Sequence, residues 1–181
     1  MSVSAVLFGR KGRLMAGDDS QELRPLARLV IALVGLLVVA GVAWHGVTIG
    51  AFQRIWHNLV GRPGGPMSFR FILQPLMAAV TAALDGLRDA RIVRSPFLRA
   101  VFFEPQHRLA RLAEALNAIA RIILLGLVMD VIYQVTVLET FYPGEAVIVA
   151  SLLAVVPYVV LRGLITRGAY RWWHGTPAPR V

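Results

Sequence analysis

The amino-acid sequence predicts an all-α, polytopic helical membrane protein with four transmembrane helices in two hairpins, plus short interfacial amphipathic helices. Three observations predict it. Hydrophobic residues make up 57% of the 181-residue chain and charged residues only 16%, too little polar surface for a water-soluble domain of this length. The apolar residues gather in runs of about 20, and 20 helical residues rise about 30 Å, the thickness of a bilayer's hydrocarbon core. The remaining charge, a net +9 carried by 18 arginines and a single lysine, lies mostly between and beside those runs.

The elements follow in chain order. Residues 1–26 are mixed and polar and read as an N-terminal tail. A membrane domain over 27–167 begins with a span at about 27–49, with Trp44 near its far end as an interface anchor. In Phe52–Val60, the apolar Phe52, Ile55, Trp56, Leu59 and Val60 recur at helical spacing, and Gln53, Arg54, His57 and Asn58 take the opposite face. That pattern predicts a short amphipathic helix in the headgroup region. Gly61-Arg62-Pro63-Gly64-Gly65-Pro66 ends it, because prolines and glycines at this density cannot continue a helix.

The second span, about 69–87, carries Gln74, Pro75 and Thr81, with Arg70 and Asp85 at its ends reaching water. Arg70, Gln74, Thr81, Asp85 and Arg88 fall roughly along one side, which predicts a polar edge facing neighbouring helices or a re-entrant segment. The loop 88–117 is basic. Its Arg88, Arg91, Arg94, Arg99, Arg108 and Arg111, set among short apolar edges, suit lipid headgroups of an anionic leaflet.

A third span at 119–138 and a fourth at about 146–165 are joined by only Glu139–Glu145, so they form an antiparallel hairpin. Pro75 and Pro157 each fall in the second helix of a hairpin, a placement compatible with broken helices. Residues 168–181 read as a basic-aromatic tail. The 139–145 link has two acids and no arginine, whereas 88–117 and the C-terminal tail are arginine-rich. The positive-inside rule therefore puts both chain ends in the cytoplasm and the link outside.

Asp130 is the chemical oddity, an acid near the middle of IARIILLGLVMDVIYQVTVL. A charge at that depth costs about 2.5–3.5 kcal/mol on insertion scales and is normally buried and paired. Tyr133 and Gln134 share its face at i+3 and i+4. With Gln74 on the second helix and Tyr158 and Arg162 on the fourth, they form a candidate intramembrane polar cluster. Counted from the arginine-rich ends of their spans, Asp130 lies about 16 Å deep and Arg162 about 5 Å. A long arginine, helped by Tyr158 or water, would join them. Two readings stand: a buried cluster that fixes helix register, or a titrating site for proton or ion movement.

The other chemistries find little support. There is no cysteine, which excludes disulfides and thiolate sites. The four histidines have no metal-ligand spacing, and no serine sits in a nucleophile elbow, so no metal, cofactor or catalytic residue is expected. The arginines serve orientation and headgroups, so nucleic acid is not an expected partner.

The strings FRFILQPLMA (69–78), DGLRDAR (85–91), MDVIYQ (129–134), YPGEA (142–146) and PYVVLRG (157–163) resemble short, uncharacterised inner-membrane proteins of bacteria, over about residues 69–167. The resemblance implies a bacterial inner-membrane location and supplies no catalytic residue. The expected function is a small, non-enzymatic accessory, scaffold or self-assembling membrane subunit, a homo-oligomer or part of a larger complex. The alternative is a proton-linked or solute-conducting protein with Asp130 as its titrating group.

Overall fold

The computed structural model describes residues 22–46, 48–61, 64 and 68–175. The N-terminal tail expected over 1–26 therefore lies almost wholly outside the described residues. Among those described, the regular structure is helical: α1 (Pro25–His45), α2 (Ile49–Gly61), α3 (Arg70–Arg91), α4 (Phe97–Phe103), α5 (Pro105–Tyr133, extended by a π turn over Gln134–Leu138) and α6 (Pro143–His174). Four of these, α1, α3, α5 with its π turn, and α6, are long and apolar enough to cross a membrane.

Local sequence explains where the helices begin and end. Pro25, Pro105 and Pro143 occupy first-turn positions, where a missing N–H costs nothing and the fixed φ suits a helix. Gly46 caps α1 with φ 64° and ψ 178°, a conformation essentially restricted to glycine, so the helix stops there. The end of α3 is closed by backbone bonds from Ile92 to Arg88 (3.2 Å) and from Arg94 to Asp89 (3.0 Å), with Val93 in the left-handed region at φ 53°. Pro75 and Pro157 lie inside α3 and α6, and both helices run on through them.

The helices alternate in direction. Backbone N–H of Arg24 donates to Asn117 Oδ1 (2.8 Å) and Asn117 Nδ2 donates to Glu22 O (2.9 Å), which ties the start of α1 to the early part of α5. Arg91 lies over the Trp173 ring at 5.4 Å, bringing the ends of α3 and α6 together. Both described chain ends thus lie at the arginine-rich end, and His45, Arg70 and Tyr142 lie at the link end. α6 is the central helix, packing against α3 most extensively and also against α5 and α1. The third and fourth spans, α5 and α6, pack against each other. The first two do not form a hairpin: α1 packs on α6 and α5, and so does α3.

Two element bounds differ from expectation for one reason. Residues 105–118 continue into the third span as one helix, α5, and 166–174 continue the fourth, because each basic stretch keeps an inward-facing row. Arg111 and Thr166 are both buried, with Thr166 Oγ1 donating to Arg162 O at 2.7 Å. α3 is likewise a continuous helix of 22 residues, not a re-entrant one.

The polarity of the bundle is inverted relative to a protein folded in water. Leu36, Val39, Ile72, Leu84 and Val128 are exposed, whereas Arg70, Asp89, Arg111, Asp130, Glu145 and Arg162 are buried. α3 buries small residues four apart, Ala78, Ala82 and Gly86, and α6 buries Ala146, Ala150 and Ala154. Lipid supplies no hydrophobic drive between helices, so close backbone approach is what holds them. At Gly86 a Cβ would stand 3.0 Å from the backbone oxygen of Arg162.

Candidate functional site

The seam of α3 places polar side chains at its two ends and alanine between them. Arg70 and Gln74 stand at the link end and Asp89 at the arginine-rich end. Arg70 and Asp89 are 19 residues apart, about 28 Å at the helical rise. The buried charges therefore form two layers separated by roughly the thickness of a hydrocarbon core.

At the link end, Arg70 Nη1 lies 2.9 Å from Asp130 Oδ1, with Arg70 only 2% exposed and Asp130 fully buried. Gln134 Nε2 donates to the other carboxylate oxygen, Asp130 Oδ2, at 2.6 Å. The Gln134 Oε1 accepts from the backbone N–H of Tyr142 at 2.6 Å, which fastens the entry into α6 to the end of α5. The Arg70 guanidinium also lies over the Tyr133 ring at 4.6 Å. One turn along α3, Gln74 Nε2 donates to Ile122 O at 3.3 Å. Gly126 makes room for that amide: a Cβ there would collide with the Gln74 side chain.

At the arginine-rich end the pairing is shared. Arg111 grips Asp89 with both ends of its fork (3.0 and 3.1 Å) and donates to Ser95 O at 3.1 Å. Arg162 donates through Nε to Asp89 Oδ2 (2.8 Å), through Nη1 to the Tyr158 hydroxyl (2.6 Å) and through Nη2 to Glu114 Oε1 (2.7 Å). Tyr158 OH in turn donates to Asp85 Oδ2 at 2.7 Å. Arg94 reaches Glu114 Oε2 from the surface at 3.2 Å. The Phe97 ring of α4 lies under both guanidiniums, at 5.0 Å from Arg162 and 5.9 Å from Arg111.

The expected single cluster is thus two. Asp130, Tyr133, Gln134 and Gln74 do come together, but around Arg70, which was expected to reach water from the helix end. Tyr158 and Arg162 belong to the other layer and bind Asp85, Asp89 and Glu114. The Asp130–Arg162 pair does not form, because α5 and α6 are antiparallel and their polar residues lie near opposite ends. Asp130 is correspondingly near the link end and not at mid-depth: it shares a layer with the first residue of α3 and the residue before α6.

Of the arginines expected on headgroups, Arg88, Arg91, Arg94 and Arg108 are exposed and Arg99 is half-buried, whereas Arg111 is an interior ion-pair residue. On α3 the row facing the bundle runs through Asp89 and not Arg88. On α2, Arg54 and Asn58 turn toward the bundle, and Trp56 and Val60 are exposed.

The sequence reading missed Arg121. It is exposed on α5, on the same apolar stripe as Val128, Ile132 and Val135. Seven residues beyond Glu114, it sits about 10 Å further along the helix toward the link end. The signal was present, a basic residue inside an apolar run, but the run's other charge drew the attention. No family model, curated protein or solved structure matches this chain.

Proposed function

We propose that this protein is a small, non-enzymatic integral membrane subunit that assembles with itself or within a larger membrane complex. The observation that carries the reading is Arg121. The bundle pairs its buried arginines internally, yet this guanidinium stands on a lipid-facing stripe, inward of the Glu114 layer. A cation there is either snorkelled toward the headgroups or satisfied across a protein contact. The small size of the chain and the exposed apolar faces of α1 and α3 favour the contact.

The location we propose is the bacterial inner membrane, with both chain ends and the 88–117 segment in the cytoplasm and its exposed arginines on an anionic leaflet. Reporter fusions at residues 64, 100 and 175 test that orientation: 64 reports outside, and 100 and 175 inside.

Assembly is tested by mass photometry and chemical crosslinking of the full chain in lipid nanodiscs. The wild type is expected as an oligomer or with a co-purified membrane partner, and Arg121→Leu is expected to lose the association. A wild type that stays monomeric and captures nothing refutes the reading.

The conduction reading draws on the complete burial of Asp130. Against it stand the Arg70 ion pair and the apolar layer, Ala78, Ala82, Ile119, Ile123, Leu127, Ala150 and Ala154, between the two charged layers. Asp130→Asn lowering a proton or solute flux in liposomes would reinstate it.

A further inference from the structure

Beside the link-end layer, a cleft of about 380 Å³ opens between the C-terminal part of α1, the first turn of α6 and the inner edge of α2. Its size falls within the range of small-molecule sites. Val38, Val42 and Ile148 form an apolar wall that is itself part of the exposed, lipid-facing surface (43%, 50% and 44% exposed). The polar end is different in kind. His45 packs edge-on against Tyr142 at 4.7 Å between ring centroids, and the Arg54 guanidinium lies over the same ring at 4.1 Å. His45 Nδ1 and Arg54 Nε are both buried atoms with no hydrogen-bond partner among the described residues. The acid in the lining, Glu145, is already engaged: both its oxygens accept from Asn58 Nδ2 at 3.2 Å.

A cleft with an apolar wall open to lipid and two unsatisfied nitrogens at its polar end matches one kind of occupant. We propose that it holds a single phospholipid with an anionic head, the phosphate oxygens accepting from Arg54 and His45 and one acyl chain lying along Val38, Val42 and Ile148. Buried polar nitrogens left without partners are costly, and a phosphate oxygen satisfies the Arg54 Nε–H, and His45 Nδ1 in the form that carries its proton there, with charge assistance. Tyr142 fixes both partners: its ring orients the histidine and the guanidinium, and its backbone N–H is held by Gln134. The bound lipid would therefore sit against the segment that also closes the Asp130 layer. This inference rests on the membrane reading of the chain and not on its assembly.

The test uses the full chain reconstituted in phosphatidylcholine vesicles doped with a phosphatidylglycerol carrying a photoactivatable diazirine in one acyl chain. Adduct positions are mapped by peptide mass spectrometry. Adducts on 38–46 and 142–148 are expected to exceed those on the lipid-facing Ile72 and Leu84 of α3 several-fold. Competition by unlabelled phosphatidylglycerol should suppress the excess, and equal phosphatidylcholine should not. Arg54→Gln should reduce the excess to the α3 level and Arg54→Lys should restore part of it.

Because Arg54 also stacks on Tyr142, a second variant, Val42→Trp, fills the cleft from the lipid side without touching that contact, and it should abolish the excess too. Cleft labelling equal to that on α3, equal competition by both lipids, or indifference to both Arg54→Gln and Val42→Trp would overturn the proposal. A chain without acyl adducts anywhere would instead refute insertion in the membrane.

Discussion

At the link end one guanidinium, Arg70, meets one carboxylate, Asp130, with Gln134 as the carboxylate's second ligand. At the arginine-rich end two buried guanidiniums converge on Asp89 with the exposed Arg94 at 4.0 Å, and Arg162 also binds Glu114 and Tyr158. Both layers bury charge between the helices, but they differ in the number of arginines on the central acid and in access to water. Arg70 and Asp130 have side chains 2% and 0% exposed, whereas Glu114 and Asp85 keep about a quarter of theirs open (25% and 23%). Full burial makes an ion pair brittle, since removing one partner leaves the other's charge out of reach of water.

That contrast orders the expected mutational effects. The largest belongs to Arg70→Met, which removes the guanidinium paired with the fully buried Asp130. A loss of about 3–5 kcal/mol is expected from unfolding measured by steric trapping in bicelles. Adding Asp130→Leu to Arg70→Met should recover most of it. A double variant as unstable as the single one would show that packing, not the uncompensated charge, sets the cost.

Arg162→Met removes more hydrogen bonds and is still expected to be milder, about 1–3 kcal/mol. Arg111 keeps its fork on Asp89, and Glu114 has water within reach. Combining Arg162→Met with Arg111→Met should exceed the sum of the single effects, because only the pair leaves Asp89 with no closer cation than the exposed Arg94 at 4.0 Å. Additivity would mean that the two arginines act independently and would remove the redundancy argument.

Smaller effects come from the backbone that holds the second layer together. Gly86→Val pushes a branched side chain against the Arg162 carbonyl and Ile165, and it should cost about 1–3 kcal/mol. The same variant should weaken the arginine-rich layer more than the link-end layer, read as faster hydrogen exchange at the end of α3. The smallest expected effect is a gain. Val93 is a β-branched residue at positive φ in the turn that presents Asp89 and Arg94, so Val93→Gly should stabilise by about 0.5–1 kcal/mol in thermal unfolding.

Much of the candidate site was legible as residue types and little of it as pairs. Asp130, Tyr133, Gln134 and Gln74 share a region because three are one turn apart on one helix and the fourth stands on a polar edge. Arg162 was matched to the wrong acid. Depth was counted from the arginine-rich ends of runs bounded by composition, and α5 begins at Pro105, 14 residues before the apolar run does. Counting from the link end instead places Asp130 beside Arg70. Arg111 read as a headgroup ligand because its neighbours are basic. Its inward direction follows from Asp89, 22 residues earlier on another helix.

What the sequence by itself determined is the set of four apolar helices and their alternation. Hydropathy sums over neighbouring residues, and short links force neighbouring spans to reverse direction. Helix starts at Pro25, Pro105 and Pro143 were fixed by the same local chemistry. Tertiary structure decided which helices touch and which acid each arginine meets. An ion pair depends on a few ångströms between atoms far apart in the chain, and that distance is set by register and small-residue packing, which no local sum contains.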